Sequence, residues 1–381
     1  MTKLKMINQQ SIKIHKKLKG KIEIRSKAPL KTKKDLSIFY TPGVGAVSSY
    51  LAMNKKESRG MTIKNNSVAI VSDGSAVLGL GNIGPEGAIP VMEGKAMIFK
   101  EFGGVDAFPI VLNTQDSEEI IKTVKYIEPV FGGINLEDIS APRCFEIENR
   151  LKEMLKIPVF HDDQHGTAIV VLAGLINSFK IAKKDFRRAR IIIVGAGAAG
   201  MAIANLLLQY GAGDIILLDS KGIISEARTD LNPFKKEMAA KTNKKNINGG
   251  LNEALMGADA VIGVSAPDII KLNHIQSMAK KAVVFALSNP APEIMPDIAR
   301  KGGAFIIATG RSDFPNQINN ALVFPGIFRG ALDKKVYQIT DSMKINAAKK
   351  LATLIKKPTP DKIIPSVFDK KVAKAVASAI S

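Results

Sequence analysis

Ile191-Ile192-Ile193-Val194-Gly195-Ala196-Gly197-Ala198-Ala199-Gly200 decides how this chain folds. A β-branched run of strand length passes straight into Gly195-x-Gly197-x-x-Gly200, and a helical stretch follows to Gln209. Gly195 permits the tight turn, Gly197 lets the backbone approach a pyrophosphate, and Gly200 allows close helix–strand packing. Ala198 and Ala199 complete the spacing at the helix N-terminus, where free N–H groups and the helix dipole hold a phosphate. A second apolar strand at 214–219 ends in Asp219, 19 residues after Gly200, where a ribose-binding carboxylate is expected. Strand, glycine turn, helix, strand and acid in this order read as a nicotinamide dinucleotide site. Asp219 favours a free 2′-hydroxyl, whereas Ser220 and Lys221 just beyond it can accept a 2′-phosphate, so the reading leans to NAD and keeps NADP open.

Downstream, apolar strands at 258–264, 282–286 and 304–307 each run into a polar turn: Ser265-Ala266-Pro267, Ser288-Asn289-Pro290 and Thr309-Gly310-Arg311. Open α/β sheets bind ligands at these strand ends, which makes Ser265 and Asn289 cofactor-contact candidates. Upstream, strands at 67–72, 107–112, 129–135 and 158–160 alternate with helices at 88–102, 117–126 and 142–155, the last with Ser140 as its cap. The fold class is therefore α/β in two domains. An N-terminal α/β substrate domain covers 1–163. A C-terminal Rossmann-type doubly wound dinucleotide-binding domain covers 164–381, with a helical tail from about 328 broken by Lys-Pro-Thr-Pro at 357–360.

Two acidic pairs stand at element ends, Glu137-Asp138 after an apolar strand and Asp162-Asp163 before an apolar helix. Adjacent carboxylates are costly to hold together unless something positive neutralises them, and a hard divalent cation is the usual partner of oxygen ligands. Either pair alone is more often a helix cap with a solvated neighbour. Lys95, in Val-Met-Glu-Gly-Lys-Ala-Met-Ile-Phe, stands alone in an apolar stretch; burial would lower its pKa and suit it to act as a base. The plain alternative is a lysine on the wet side of an amphipathic helix. By the same standard Tyr40 is a packed ring with a wet hydroxyl, and Asn319-Asn320 a polar loop.

Composition narrows the classes. A chain of 381 residues with 46% hydrophobic content supports two sizeable cores. No apolar run of membrane-spanning length is expected, and the opening Met-Thr-Lys-Leu-Lys-Met-Ile lacks the apolar segment of a signal peptide. The single cysteine, Cys144, shares helical spacing with Ile147, Leu151 and Leu155 and reads as a small buried hydrophobe. A cytoplasmic location is the expectation. The formal charge of +20 invites a nucleic-acid reading, yet the lysines are scattered in pairs and no Trp and only 5 Tyr accompany them. A phosphate-tracking surface concentrates its charge beside stacking rings, so neither nucleic acid nor membrane is expected as a partner; the charge would instead draw in dianionic substrates.

Phe160 to Ile176 resembles the signature segment of the malic enzymes. The likeness extends to Tyr-Thr-Pro-Gly-Val at 40–44, Gly-Leu-Gly-Asn-Ile-Gly at 79–84, Glu-Gly-Lys-Ala at 93–96, Ile-Asn-Leu-Glu-Asp-Ile at 134–139, Leu-Ser-Asn-Pro at 287–290 and Asn-Asn-Ala-Leu-Val-Phe-Pro-Gly at 319–326. These blocks keep the family's order, and the length is similar to its small bacterial type. The resemblance implies oxidative decarboxylation of L-malate to pyruvate and CO2 with reduction of NAD or NADP. It further implies that Glu137, Asp138 and Asp163 hold Mg²⁺ or Mn²⁺ and that Asp162 sets the state of the catalytic lysine. Lys95 is then the general base and Tyr40 the general acid, while Asn289 and Asn320 contact the substrate carboxylate and the nicotinamide. Ala76 stands where larger members carry a substrate-binding arginine, so another group must neutralise that carboxylate. A homodimer is implied, with Tyr40 or Lys95 completing the neighbour's site. A malolactic-type enzyme, another small-acid dehydrogenase and a catalytically silent dinucleotide-binding regulator are the alternatives.

Overall fold

The computed structural model describes residues 3–381. The N-terminal half holds α1 (Lys3–Leu18), α2 (Lys33–Phe39), α3 (Gly43–Met53), α4 (Ser58–Met61) and β1 (Ser67–Ser72). There follow α5 (Gly84–Gly103), β2 (Asp106–Val111), α6 (Ser117–Ile127), β3 (Gly133–Leu136), α7 (Arg143–Met154) and β4 (Val159–His161). The strands form one parallel sheet in the order β2-β1-β3-β4. Side chains alternate in a strand, and here both faces are covered. Val68 and Ile70 of β1 face a core shared with α5, whereas Ala69 and Val71 face Ile120, Val124 and Ile147 on α6 and α7.

Ser140 does not cap α7. Pro142 occupies the N-cap without a side-chain bond, and the Ser140 hydroxyl accepts from Arg143 instead. Strand β3 is also shorter than expected, because Glu128–Val130 forms a separate 3-10 turn before it.

A π-helical turn, Asp162–Gly166, leads from β4 into α8 (Thr167–Ala182). Contrary to expectation, Asp162–Ala182 is long and apolar enough by composition to cross a membrane, but 72% of its most apolar window is buried inside the fold. It is apolar all round because it packs against the helices Ala198–Tyr210 and Asp341–Thr353 inside the large core.

The second sheet is built from β5 (Arg190–Val194), α9 (Ala198–Tyr210), β6 (Asp214–Asp219), β7 (Gly222–Ile223), α10 (Pro233–Lys241), α11 (Leu251–Leu255) and β8 (Ala260–Gly263). It continues through α12 (Leu272–Gln276), β9 (Val283–Ala286), α13 (Pro296–Lys301) and β10 (Ile306–Thr309). The order is β10-β9-β8-β5-β6-β7, parallel except for the short β7. Ile191 and Ile193 face α8 and α9, and Ile192 and Val194 face the opposite core, as the unbroken β-branched run requires.

The tail forms α14 (Phe324–Lys334), α15 (Asp341–Thr353) and α16 (Lys371–Ala377). It returns across the first sheet: Phe324 and Phe328 pack on Phe99 of α5 with ring centroids 4.6 and 5.4 Å away, and Phe328 also meets Phe160. Each buried phenylalanine contributes about 2–3 kcal/mol of transfer free energy. One continuous core therefore runs from β1 through α8 and α14 to β5.

Candidate active site

The two acidic pairs meet because β3 and β4 are neighbours, with Leu136 opposite His161. Residues just past the ends of adjacent parallel strands emerge on one rim, so a separation of 25 residues in sequence becomes contact in space. Glu137 still donates its N–H to Val71 O, and Asp138 then turns into the left-handed region at φ +53°, which a short polar side chain tolerates. The Asp138 N–H donates to Asp163 Oδ2 at 2.8 Å, and the Ala76 N–H donates to Asp138 O. One carboxylate oxygen each from Glu137, Asp138 and Asp163 lies within 4.8 Å of the others. An all-oxygen set of three carboxylates at this spacing suits a hard divalent cation.

Lys95 is the cation already present. It is buried on α5 at 7% exposure, with Nζ 2.5 Å from Asp162 Oδ2, bonded also to Glu137 and 4.6 Å from the Phe324 ring centroid. Burial pulls the ammonium pKa down, but Asp162, Glu137 and Asp163 outweigh it and the pKa is raised. This corrects the expectation of a lowered value, which counted desolvation and not the surrounding carboxylates. Burial in turn pushes Asp162 up and Glu137 well up, the latter helped by Asp163. Asp162 Oδ1 is buried without a hydrogen-bond partner among the described residues, and a Cβ on Gly166 would sit 1.8 Å from it. Only glycine lets the π turn carry that carboxylate toward Lys95.

Tyr40 lies apart. It closes α2 at 65% exposure, and its hydroxyl has no hydrogen-bond partner among the described residues. Asn320, half-buried, borders the turn, its Cβ 3.2 Å from where a Gly166 Cβ would stand. Asn289 joins the domains, since the glycine-rich loop at 79–84 fits so closely that a Cβ on Gly79 would meet Asn289 O at 1.9 Å. Near Ala76, Arg143 Nη2 bonds Asp73, Ser75 and Ser140.

The glycine turn behaves as its spacing demands. Gly195, at φ +118°, lies against Val264 O where the ends of β5 and β8 meet, and Gly200 packs on Gly195 O. The space beside Gly197 is open, as an approaching pyrophosphate requires. Ala198 and Ala199 form the first turn of α9 behind it. The Ser265 N–H is held by Glu293 Oε1 at 2.7 Å, and Glu293 Oε2 takes the Ser288 N–H, so one buried carboxylate ties the ends of β8 and β9. Asp219 is not a free carboxylate: Arg228 bonds it at 2.8 and 3.3 Å, Lys235 at 2.6 Å and the Lys221 N–H at 3.0 Å. Burial works against ionisation, but these donors bring its pKa down to about 2. The Lys221 ammonium points elsewhere, to Asp230.

Arg228, Lys235, Glu293 and Glu148 escaped the sequence reading. The loop that returns Arg228 to Asp219 has no spacing rule. Glu148 did carry a signal, a lone acid on the helical face of Cys144, Ile147 and Leu151.

The family model described as "Malic enzyme, N-terminal domain" matches residues 19–152, and "Malic enzyme, NAD binding domain" matches 164–381. The chain is 55% identical over 363 residues to the NAD-dependent malic enzyme of Geobacillus stearothermophilus, covering 95% of this chain and 76% of that one. It is 51% identical to the bifunctional malic/malolactic enzyme of Bacillus subtilis, covering 98% and 92%. Among solved structures, the NAD-dependent malic enzyme of Thermotoga maritima superposes with a TM-score of 0.94 at 49% identity, over 97% and 98% of the two chains. The Entamoeba histolytica malic enzyme gives 0.96 at 39% identity, over 99% and 81%.

Proposed function

Because this chain belongs to the malic enzyme family, we propose that its carboxylate–lysine centre carries out oxidative decarboxylation of L-malate to pyruvate and CO2, with reduction of NAD or NADP. The observation that carries the reading is the convergence of Glu137, Asp138 and Asp163 on one point beside Lys95. Those three carboxylates would hold Mg²⁺ or Mn²⁺. A divalent cation held there would supply Lewis-acid stabilisation of negative charge on the substrate oxygen beside Lys95.

The chain's own groups do the rest. Lys95 Nζ takes the proton of the C2 hydroxyl as hydride leaves C2, while Asp162 holds that amine in place. A cation held by Glu137 and Asp163 would offset two of the three carboxylates that raise the Lys95 pKa and would so favour the free amine that proton removal needs. Asn289 and Asn320 orient the substrate carboxylate and the nicotinamide side. The Tyr40 hydroxyl delivers a proton to C3 after CO2 departs.

The exposed position of Tyr40 supports a homodimer in which it completes the partner's site. Its neighbours Leu36, Ile38, Phe39, Val44, Val47, Tyr50 and Met53 are all exposed, and neither α2 nor α3 has a buried residue. A contiguous apolar face of this kind needs a cover, and a second copy offers the same face. Location in the cytoplasm belongs to the same proposal, since it suits a chain with one cysteine and soluble cofactors.

The test is the rise in absorbance of reduced nicotinamide with L-malate, Mn²⁺ and each cofactor in parallel, with pyruvate identified as product. Lactate without net reduced cofactor would instead indicate the malolactic reaction that the Bacillus subtilis relative's name includes. Mixing Tyr40→Phe and Lys95→Ala proteins should restore partial activity if Tyr40 acts across the interface. No recovery, with mixed dimers demonstrated, would place it in its own subunit.

A further inference from the structure

Each acidic pair is preceded by a buried nitrogen-bearing side chain. Asn135, fully buried in β3, stands two residues before Glu137 and donates from Nδ2 to Glu137 Oε2 at 3.0 Å, leaving Oε1 to meet Lys95. His161, fully buried at the end of β4, stands two residues before Asp163, and its Nδ1 lies 3.7 Å from Asp163 Oδ2. That gap is too wide for a hydrogen bond. Neither ring nitrogen of His161 has a hydrogen-bond partner among the described residues. The packing does not call for an imidazole at this position. The register partner Leu136, and Val159 two residues back on the same face of β4, belong to an apolar core with Ile147 and Leu151, which a leucine would join without burying a polar atom. A buried polar ring left unsatisfied is costly, so its presence points to a role other than stability.

We propose that His161 is a positioning residue for Asp163, as Asn135 is for Glu137: its Nδ1–H closes onto Asp163 Oδ2 and fixes that carboxylate toward a cation held in the centre. The proposal rests on the reading of Glu137, Asp138 and Asp163 as the cation's ligands. Asp163 Oδ2 already accepts from the Asp138 N–H, so a second donor fills its lone pairs and leaves Oδ1 to face the cation. The carboxylate is the partner that can move. The Asp163 side chain is 31% exposed, whereas the His161 ring is enclosed and its peptide N–H is pinned to Glu148 Oε1 at 3.0 Å. A side-chain rotation that shortens the contact by about 0.7 Å brings it into hydrogen-bond range.

The full-length protein carrying His161→Leu, His161→Asn or His161→Gln would be titrated with Mn²⁺ by electron paramagnetic resonance, and each variant melted without metal. An asparagine amide nitrogen falls where Nδ1 stands, and a glutamine amide nitrogen where Nε2 stands. His161→Leu should weaken Mn²⁺ binding about tenfold, the loss expected for an outer partner of a metal ligand. Its metal-free melting temperature should hold or rise, because an apolar side chain replaces two unpaired nitrogens. His161→Asn should stay within about threefold of the unaltered protein in Mn²⁺ affinity, and His161→Gln should weaken it as His161→Leu does. Unchanged Mn²⁺ affinity in His161→Leu, with a lower melting temperature, would make the ring purely structural and overturn the proposal. Equal Mn²⁺ affinity in His161→Asn and His161→Gln would overturn it as well, since the Nδ1 donor would then carry no weight. If the unaltered protein binds Mn²⁺ no more tightly than Asp163→Asn does, the ligand assignment itself has failed and the proposal falls with it.

Discussion

Glu148 on α7 accepts the backbone N–H of His161 at 3.0 Å, so a carboxylate thirteen residues earlier in the chain holds the start of the turn that presents Asp162 and Asp163. The same buried group accepts from His165 Nε2 at 2.9 Å and from Lys152 at 2.8 Å. Burial opposes its charge, but His165 and Lys152 hold its pKa well below the usual carboxylate range. Lys344 donates to His165 Nδ1 from the other side, which leaves His165 neutral with its proton on Nε2. The π turn is thus clamped from behind by charges that never face the substrate.

Glu148→Gln keeps the shape and loses the charge. Outer-shell partners of metal ligands commonly tune affinity by about 10–100-fold, so Mn²⁺ binding followed by electron paramagnetic resonance should weaken by about tenfold or more. Unchanged Mn²⁺ affinity in a folded protein would show that the turn holds its geometry without Glu148.

Lys95→Ala and Tyr40→Phe should both reduce overall turnover by at least about 10²-fold, as expected for lost general acid–base groups. They should differ in partial reactions. The tyrosine change should spare hydride transfer and decarboxylation of supplied oxaloacetate more than proton delivery to C3, read as exchange of the pyruvate methyl protons with solvent. Equal losses in every partial reaction would contradict the division of roles.

Asp163→Asn should act in opposite directions on the metal-free and metal-loaded protein. Without a cation, Asp163 raises the Glu137 pKa and so repels its neighbour, and its removal should raise the melting temperature of the metal-free chain. The Asp138 N–H still finds an acceptor in the amide oxygen. The Mn²⁺ requirement should nevertheless rise steeply; an unchanged Mn²⁺ titration would count against Asp163 as a ligand.

Asp219 predicts an acid limb of stability. Its folded-state pKa, about 2, lies below the usual 3.8, so the unfolded chain binds the extra proton first as the solution is acidified. The contribution is fully present above about pH 4 and is lost as pH falls through about 2, worth on the order of 1–2 kcal/mol after allowance for solvent at the loop. Urea unfolding of Asp219→Asn should show a shallower loss across that window than the unaltered chain. An identical slope in the two proteins would mean that the ion pairs persist on unfolding or do not form.

The alternation of strand and helix, the glycine turn and both acidic pairs were legible along the chain because each is a local pattern: β-branched runs, fixed glycine offsets, carboxylates side by side. Lys95 was legible as an odd residue in an apolar stretch, but the direction of its pKa was not. Burial is visible in the surrounding residue types, whereas Asp162 and Glu137 lie 67 and 42 residues away and act only after β3, β4 and α5 are brought together. The return of α14 across the first sheet was equally hidden, since an apolar helix face does not name what it packs on.

By itself the sequence determined the α/β class, the dinucleotide turn and the presence of two acidic pairs at element ends, because those depend on residues close together in the chain. Tertiary structure alone decided that Glu137, Asp138 and Asp163 share one point, that Arg228 and Lys235 neutralise Asp219, and that Glu148 steadies the turn behind the centre. The physical reason is one of range. Conformational preference acts over a few residues, but charge, burial and hydrogen bonding act through space, and only the completed fold fixes which side chains are neighbours.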